Sequence, residues 1–228
     1  MNFPGRHSTR NIVTLNFHGV GKTTQRLDPG EENVWLSTDH FLEMLDAVKK
    51  NDRVQITFDD GNASDIETAL PALLDRGLRA TFFVLAGRIG QMGFLDAADI
   101  RELLSNGMEI GSHGMQHRSW RNMSKPVIQE EIYTAKSRLE EIIGMPVMKA
   151  ACPFGTYDRV ALSQLRKAGF SNVYTSDRGL SRPDQWLQTR NTVHKGDRPE
   201  LLTELFSETA LSFRTMMRNT KRFIKRWR

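Results

Sequence analysis

Short apolar runs alternate along this chain with longer stretches in which apolar residues recur every three or four positions. The short runs are Ile12-Val13-Thr14-Leu15-Asn16-Phe17, Val54-Gln55-Ile56, Ala80-Thr81-Phe82-Phe83-Val84, Met108-Glu109-Ile110-Gly111, Val147-Met148-Lys149-Ala150-Ala151, Asn172-Val173-Tyr174-Thr175 and Trp186-Leu187-Gln188-Thr189. Their length and their β-branched and aromatic content predict strands. The longer stretches predict helices. One opens at Ser37, a good N-cap, and runs to about Lys50 with Phe41, Leu42, Leu45 and Val48 on its apolar face. Others cover residues 64–76, stopped by Gly77; 97–105; 124–143, with Pro126 near its start and Gly144 past its end; and 158–168. Residues 20–36 are polar, carry the turn signal Asp28-Pro29-Gly30, and predict a long loop.

Strand and helix alternate about seven times, the pattern of an α/β protein with a parallel sheet, either closed into a barrel or left open. The polar residues favour the barrel. His18, Asp59, Asp60, His113, Asp177 and Arg190 each fall just after the carboxyl end of a predicted strand. In a barrel of parallel strands those ends meet on one rim, where such folds carry their chemistry. The expected fold is therefore a (β/α) barrel of about seven parallel strands.

Charge divides the chain. The net charge of +5 comes from seven basic residues between Arg214 and Arg228, without which the remainder stands at −2. A basic tail on an otherwise slightly acidic body gives no reason to expect nucleic-acid binding. We expect one domain over residues 1–198 and an amphipathic basic helix over 199–228, where Leu202, Phe206, Phe213, Met217, Ile224 and Trp227 recur at helical spacing. From residue 214 on, such a helix could make a peripheral contact with an anionic membrane surface; the alternative is a helix that covers the barrel and ends in a solvated basic face. No apolar run is long enough to cross a bilayer, and Met1–His7 lacks the apolar core of a secretory signal. The single cysteine, Cys152, fits a reducing compartment, so a cytoplasmic location is expected, with the inner membrane face as the site of any peripheral contact.

The candidate chemistry sits on the rim. Thr57-Phe58-Asp59-Asp60-Gly61 ends a strand with two adjacent carboxylates. Neighbouring side chains on a strand point to opposite faces, so the pair can share one site only if the backbone bends, and Gly61 permits that bend. One carboxylate could then hold a cation while the other works as a base. His113-Gly114-Met115-Gln116-His117 spaces two imidazoles so that one helical turn would bring both to one face. With Asp60 they offer two nitrogens and one oxygen and leave positions for water, the layout of a catalytic divalent site. Either motif alone is weak, since Asp-Asp-Gly commonly forms a turn and such histidine pairs commonly lie in solvated loops. Their shared rim position favours ligation.

Thr-Phe-Asp-Asp-Gly at 57–61, Gly-Ser-His-Gly-Met-Gln-His at 111–117 and Cys-Pro-Phe-Gly at 152–155 resemble, in order, three motifs of the polysaccharide deacetylases of carbohydrate esterase family 4, the nodulation-factor deacetylase (NodB) homology domain. The resemblance spans roughly residues 11–194. It implies a distorted (β/α) barrel, NodB-like, that removes acetyl groups from N-acetylated sugars with a divalent metal: zinc first, with cobalt, nickel or manganese as alternatives. It implies Asp59 as base, Asp60, His113 and His117 as metal ligands, and the Phe154 backbone N–H as an oxyanion donor. The substrate expected is an N-acetylated glycan, polymeric or lipid-linked.

The chain departs from the family in two places. The third motif usually begins with an arginine that pairs with the base; here that position is Ala151, and Arg190 is the candidate substitute from another strand. The general acid is either His194, in Thr192-Val193-His194, or His18, in Leu15-Asn16-Phe17-His18-Gly19. The latter resembles the first-strand motif of members whose motif order is circularly shifted, and we favour it. Asp177 could orient the acid or simply form a turn. Cys152 reads as packing, and Trp186 as either a sugar platform or core. The rival functions are a carbohydrate-binding protein that kept the metal site without turnover, and an O-deacetylase or other amidase on the same scaffold.

Overall fold

The computed structural model describes residues 10–23, 27 and 30–207. The basic stretch from Arg214, and with it the expected membrane contact, lies outside the described residues. Seven parallel strands form the body: β1 (Ile12–Phe17), β2 (Val54–Asp60), β3 (Ala80–Val84), β4 (Glu109–Ser112), β5 (Lys149–Ala151), β6 (Asn172–Thr175) and, after a short antiparallel β7 (Leu180–Ser181) on the edge of β1, β8 (Leu187–Thr189). The chain runs on from β8 into β9 (Asn191–Thr192), which pairs in parallel with β1. One continuous segment thus bonds β6 on one side and β1 on the other. That closes the sheet into a nearly complete barrel, and Arg190 sits at the junction.

The helices follow the expected alternation: α1 (Thr38–Val48), α2 (Leu70–Leu74), α3 (Ala97–Ser105), α4 (Lys125–Ile128), α5 (Ala135–Ile143), α6 (Arg159–Lys167) and α7 (Glu200–Ser207). Ser37 caps α1 by accepting from the His40 N–H, and Asp96 and Asp99 form a reciprocal capping box on α3. The expected helices over 64–76 and 124–143 do form, but each contains π-helical turns, at Asp65–Ala69 and Gln129–Thr134. The expected loop over 20–36 includes a short 3-10 turn at Glu31–Asn33.

Strand alternation decides what faces what. Phe17, Phe58 and Phe82 occupy one row across β1, β2 and β3 and stack outward beneath α1, with Phe41 set edge-on to Phe17. The alternate positions Asn16, Thr57, Thr81 and Asp59 face the barrel interior, which is polar near the rim. Leu201, Leu202 and Leu205 of α7 join the main core, and Arg53, at the start of β2, lies over the Phe206 ring. This helix therefore packs against the barrel beside β1, with its last turn near the start of β2.

Candidate active site and metal centre

The carboxyl ends of β1, β2, β4 and the β8–β9 junction bring His18, Asp59, Asp60, His113 and Arg190 together. Alternation aims Asp59 into the barrel. Asp60 would by the same rule point outward with Phe58, yet its φ of 79° turns it over the rim. The bend assigned to Gly61 is therefore shared: Gly61 has φ 71°, and a Cβ there would meet Val84 Cγ1 at 3.0 Å. Left-handed backbone at a non-glycine residue is strained and concentrates at functional sites. Among the described residues five such positions occur, and Asp60, His117 and Phe154 are three of them.

Asp60 Oδ1 lies 3.6 Å from His113 Nε2 and 3.5 Å from His117 Nε2. Two ligand atoms each about 2.1 Å from a tetrahedral zinc stand roughly 3.4 Å apart, so the spacing suits one shared cation. The donor atom itself argues the same way, because Asp60 Oδ1 is buried and has no hydrogen-bond partner. His113 Nδ1 faces the Ala151 carbonyl at 2.9 Å, which fixes the proton on Nδ1 and leaves Nε2 as the lone-pair donor. The two imidazoles are not brought together by a helical turn, as the spacing suggested. Residues 113–117 are an extended loop, with Gly114 at φ 87° and His117 at φ 54°. These three residues fit a divalent metal.

Asp59 is held differently. Arg190 donates to it through two parallel hydrogen bonds, Nη1 to Oδ1 at 2.6 Å and Nη2 to Oδ2 at 2.8 Å. Asn16 completes the network, donating from Nδ2 to Asp59 Oδ2 at 3.0 Å and accepting from Arg190 Nη1 at 2.7 Å and Thr57 Oγ1 at 2.8 Å. Ala151 is fully buried beside Phe83 and Tyr174, and the Arg190 guanidinium lies 5.2 Å from the centre of the Phe83 ring. The small residue at 151 leaves the interior open to an arginine from the last strand.

The environments push the two carboxyls apart. Burial favours a neutral Asp59, but the Arg190 charge and hydrogen bonds, with His113 and His18, hold it well below the usual carboxylate range. Burial, with the Asp59 charge added, pushes Asp60 up to about 6. Burial also pushes His113 down to about 3, so its imidazole is neutral and ready to ligate.

His18 Nε2 stands 4.0 Å from Asp59 Oδ2, with 18% of its side chain exposed. His194 is 46% exposed and pairs with Asp197 in the loop after β9. Phe154 is 64% exposed, and its ring lies 4.2 Å from that of His117. The Phe154 backbone, at φ 57°, donates no hydrogen bond within the described residues. Asp177 accepts from Tyr157 Oη and Thr175 Oγ1, so it steadies the loop that carries Phe154. Trp186 donates to the Phe170 carbonyl and carries Arg166 on its ring at the opposite end of the barrel, so it is packing. Cys152 is buried and continues the pairing with Tyr174. Sequence reasoning missed Asn16, whose only signal was an amide inside an apolar run.

Residues 46–173, over half of the chain, match the polysaccharide deacetylase family. A peptidoglycan-N-acetylglucosamine deacetylase of Bacillus cereus is 28% identical over 131 residues, 57% of this chain and 59% of that one. The chain spans 42–59% of the length of this and two other curated relatives. The fold is shared with the Streptococcus pyogenes deacetylase PplD, at a TM-score of 0.77 and 20% identity over 88% of this chain and all of that one. A polysaccharide deacetylase of Bacillus cereus gives 0.75 and 20% over 87% of this chain and 69% of that one. With its three motifs gathered on one rim of that barrel, this chain belongs to the polysaccharide deacetylase family.

Proposed function

We propose that the chain is a metal-dependent hydrolase that removes acetyl groups from N-acetylated sugars. The observation that carries this reading is a pair of adjacent buried carboxylates with opposite surroundings. Asp60 has an orphaned oxygen between two imidazoles, and Asp59 is clamped by Arg190. Asp60, His113 and His117 would hold the cation, zinc first; when bound it polarises the acetyl carbonyl and acidifies the attacking water.

Asp59 takes the proton from that water, and its clamp keeps it ionised and aimed into the site. The Phe154 N–H donates to the oxygen that gains charge as the carbonyl is attacked. His18, just past the end of β1, donates a proton to the sugar nitrogen as the carbon–nitrogen bond breaks, so that amine and acetate leave. His18 Nε2 and Asp59 Oδ2 lie 4.0 Å apart, near enough for one reacting group seated above them to touch both. A binding protein without turnover would have no use for a clamped carboxylate beside the ligand set.

The Bacillus cereus relative, a peptidoglycan-N-acetylglucosamine deacetylase, makes polymeric N-acetylglucosamine the first substrate to try. Acetate release from N-acetylglucosamine oligomers and peptidoglycan fragments, lost on chelation and restored by zinc or cobalt, is the expected result. Release that survives complete metal removal would contradict the reading.

A further inference from the structure

His113 and His117 are positioned by different means. His113 ends β4, where its N–H donates to the Val84 carbonyl at 3.0 Å and its ring is fixed by Ala151. His117 lies beyond the strand, at the end of the loop 114–116, with its ring against that of Phe154. That loop is gripped on two sides. Its carbonyls face the turn after β3, where Ala86 donates to Gly114 and Gly87 to Met115, each at 2.9 Å. The Gly114 N–H donates to Ser112 Oγ, and the next two amides face a single carboxylate. Glu131 accepts from the Met115 N–H through Oε2 and from the Gln116 N–H through Oε1, both at 3.0 Å, and the Trp120 indole lies 3.5 Å from Oε2.

Glu131 is fully buried and comes from the π-helical turns between α4 and α5. Isolated π turns widen a helix at some cost and recur at functional sites. A buried carboxylate is expensive unless its oxygens are satisfied, and here two backbone amides satisfy both. The fit also dictates Gly114, since a Cβ there would meet Glu131 Oε2 at 2.4 Å. Gly87 serves the other side, where a Cβ would meet the Met115 carbonyl at 2.4 Å.

We propose that Glu131 is a positioning residue for the metal site, holding loop 114–116 so that His117 meets Asp60 and His113 at ligand distance. This rests on the metal reading above. Partners one step behind the ligands typically change metal affinity by about 10–100-fold.

The test is Co²⁺ binding, followed by calorimetry and by the visible spectrum of the bound ion, with amide exchange measured on metal-free protein. Glu131→Gln replaces one accepting oxygen with an NH₂ that opposes a loop amide. It is expected to bind Co²⁺ about 10–100-fold more weakly, with an altered spectrum and faster exchange at Met115 and Gln116. Leu139→Ala, a cavity on the same helix assembly, is expected to lower the melting temperature without changing Co²⁺ affinity or spectrum. Should Glu131→Gln fail to fold, Gly114→Ala disturbs the same contact from the loop side and is read in the same way. Affinity within about twofold of wild type, with the same spectrum, would overturn the proposal. Wild-type protein that takes up no Co²⁺ would instead overturn the metal reading. The exchange data would still decide the tether, and unchanged protection at Met115 and Gln116 would refute it.

Discussion

Arg190 reaches Asp59 from the last strand through two parallel hydrogen bonds, and the small side chain of Ala151 leaves that route open. Removing the cation would strand a buried carboxylate, so Arg190→Ala is expected to destabilise the protein by about 3–5 kcal/mol. Arg190→Lys keeps charge but loses the fork, and should fold while losing about 10²-fold or more in kcat/KM. Denaturant melts and acetate-release kinetics on both variants check this; a fully active Arg190→Ala would remove Arg190 from the site. The two histidines separate on leaving-group chemistry. If His18 protonates the departing amine, His18→Ala loses about 10²-fold or more on N-acetylated sugars and far less on an acetyl ester with a good leaving group, while His194→Ala changes neither. Equal losses on both substrates would deny His18 the acid role. Arg190 was legible as a strand-end residue, but its pairing was not. Asn16 lies 174 positions away from it in sequence, and only closure of the barrel makes them neighbours.

At the scale of elements, the motifs were legible while the backbone that presents them was not. Spacing suggested a helical turn between His113 and His117, because periodicity is the one geometry that a sequence states directly. The site instead uses left-handed backbone at Asp60, His117 and Phe154, which no residue-type preference announces. The π-helical turns were equally hidden, since they leave the apolar spacing almost unchanged. One of them carries a liability. Asp65 is fully buried, and burial, with the charges of Asp60 and Asp59, raises its pKa well above the ordinary value against a weak opposing contact from the Asn62 backbone. A carboxyl raised in the folded state binds its proton there more tightly than in the unfolded chain. Its stabilisation is complete below about pH 3.9 and is lost as pH rises toward the folded value. Asp65→Asn removes this dependence. The variant is expected to gain stability over wild type at pH 8 and to gain less at pH 5, by thermal melts of the metal-free protein. A gain that grows as pH falls would contradict the assignment.

At the scale of the molecule, the alternation of strands and helices and the rim position of the polar residues were enough to anticipate a parallel barrel. The way it closes was not, because β8 and β9 are one short segment divided at Arg190, and three- and two-residue strands leave little pattern to read. The register across β1, β2 and β3 places the phenylalanine row under the helices and the polar row inside, which aims Asp59 at the centre of the rim. On the proposed mechanism this rim hydrolyses acetyl groups with Asp59 as base beside a metal held by Asp60, His113 and His117. The most direct measurement is acetate release from an acetyl ester by wild type and Asp59→Asn, each with its bound metal quantified. We expect the variant to hold metal and to lose about 10²–10⁴-fold in rate, while chelation silences the wild type. An Asp59→Asn variant that turns over at the wild-type rate, or a metal-loaded wild type that releases no acetate, would contradict that mechanism.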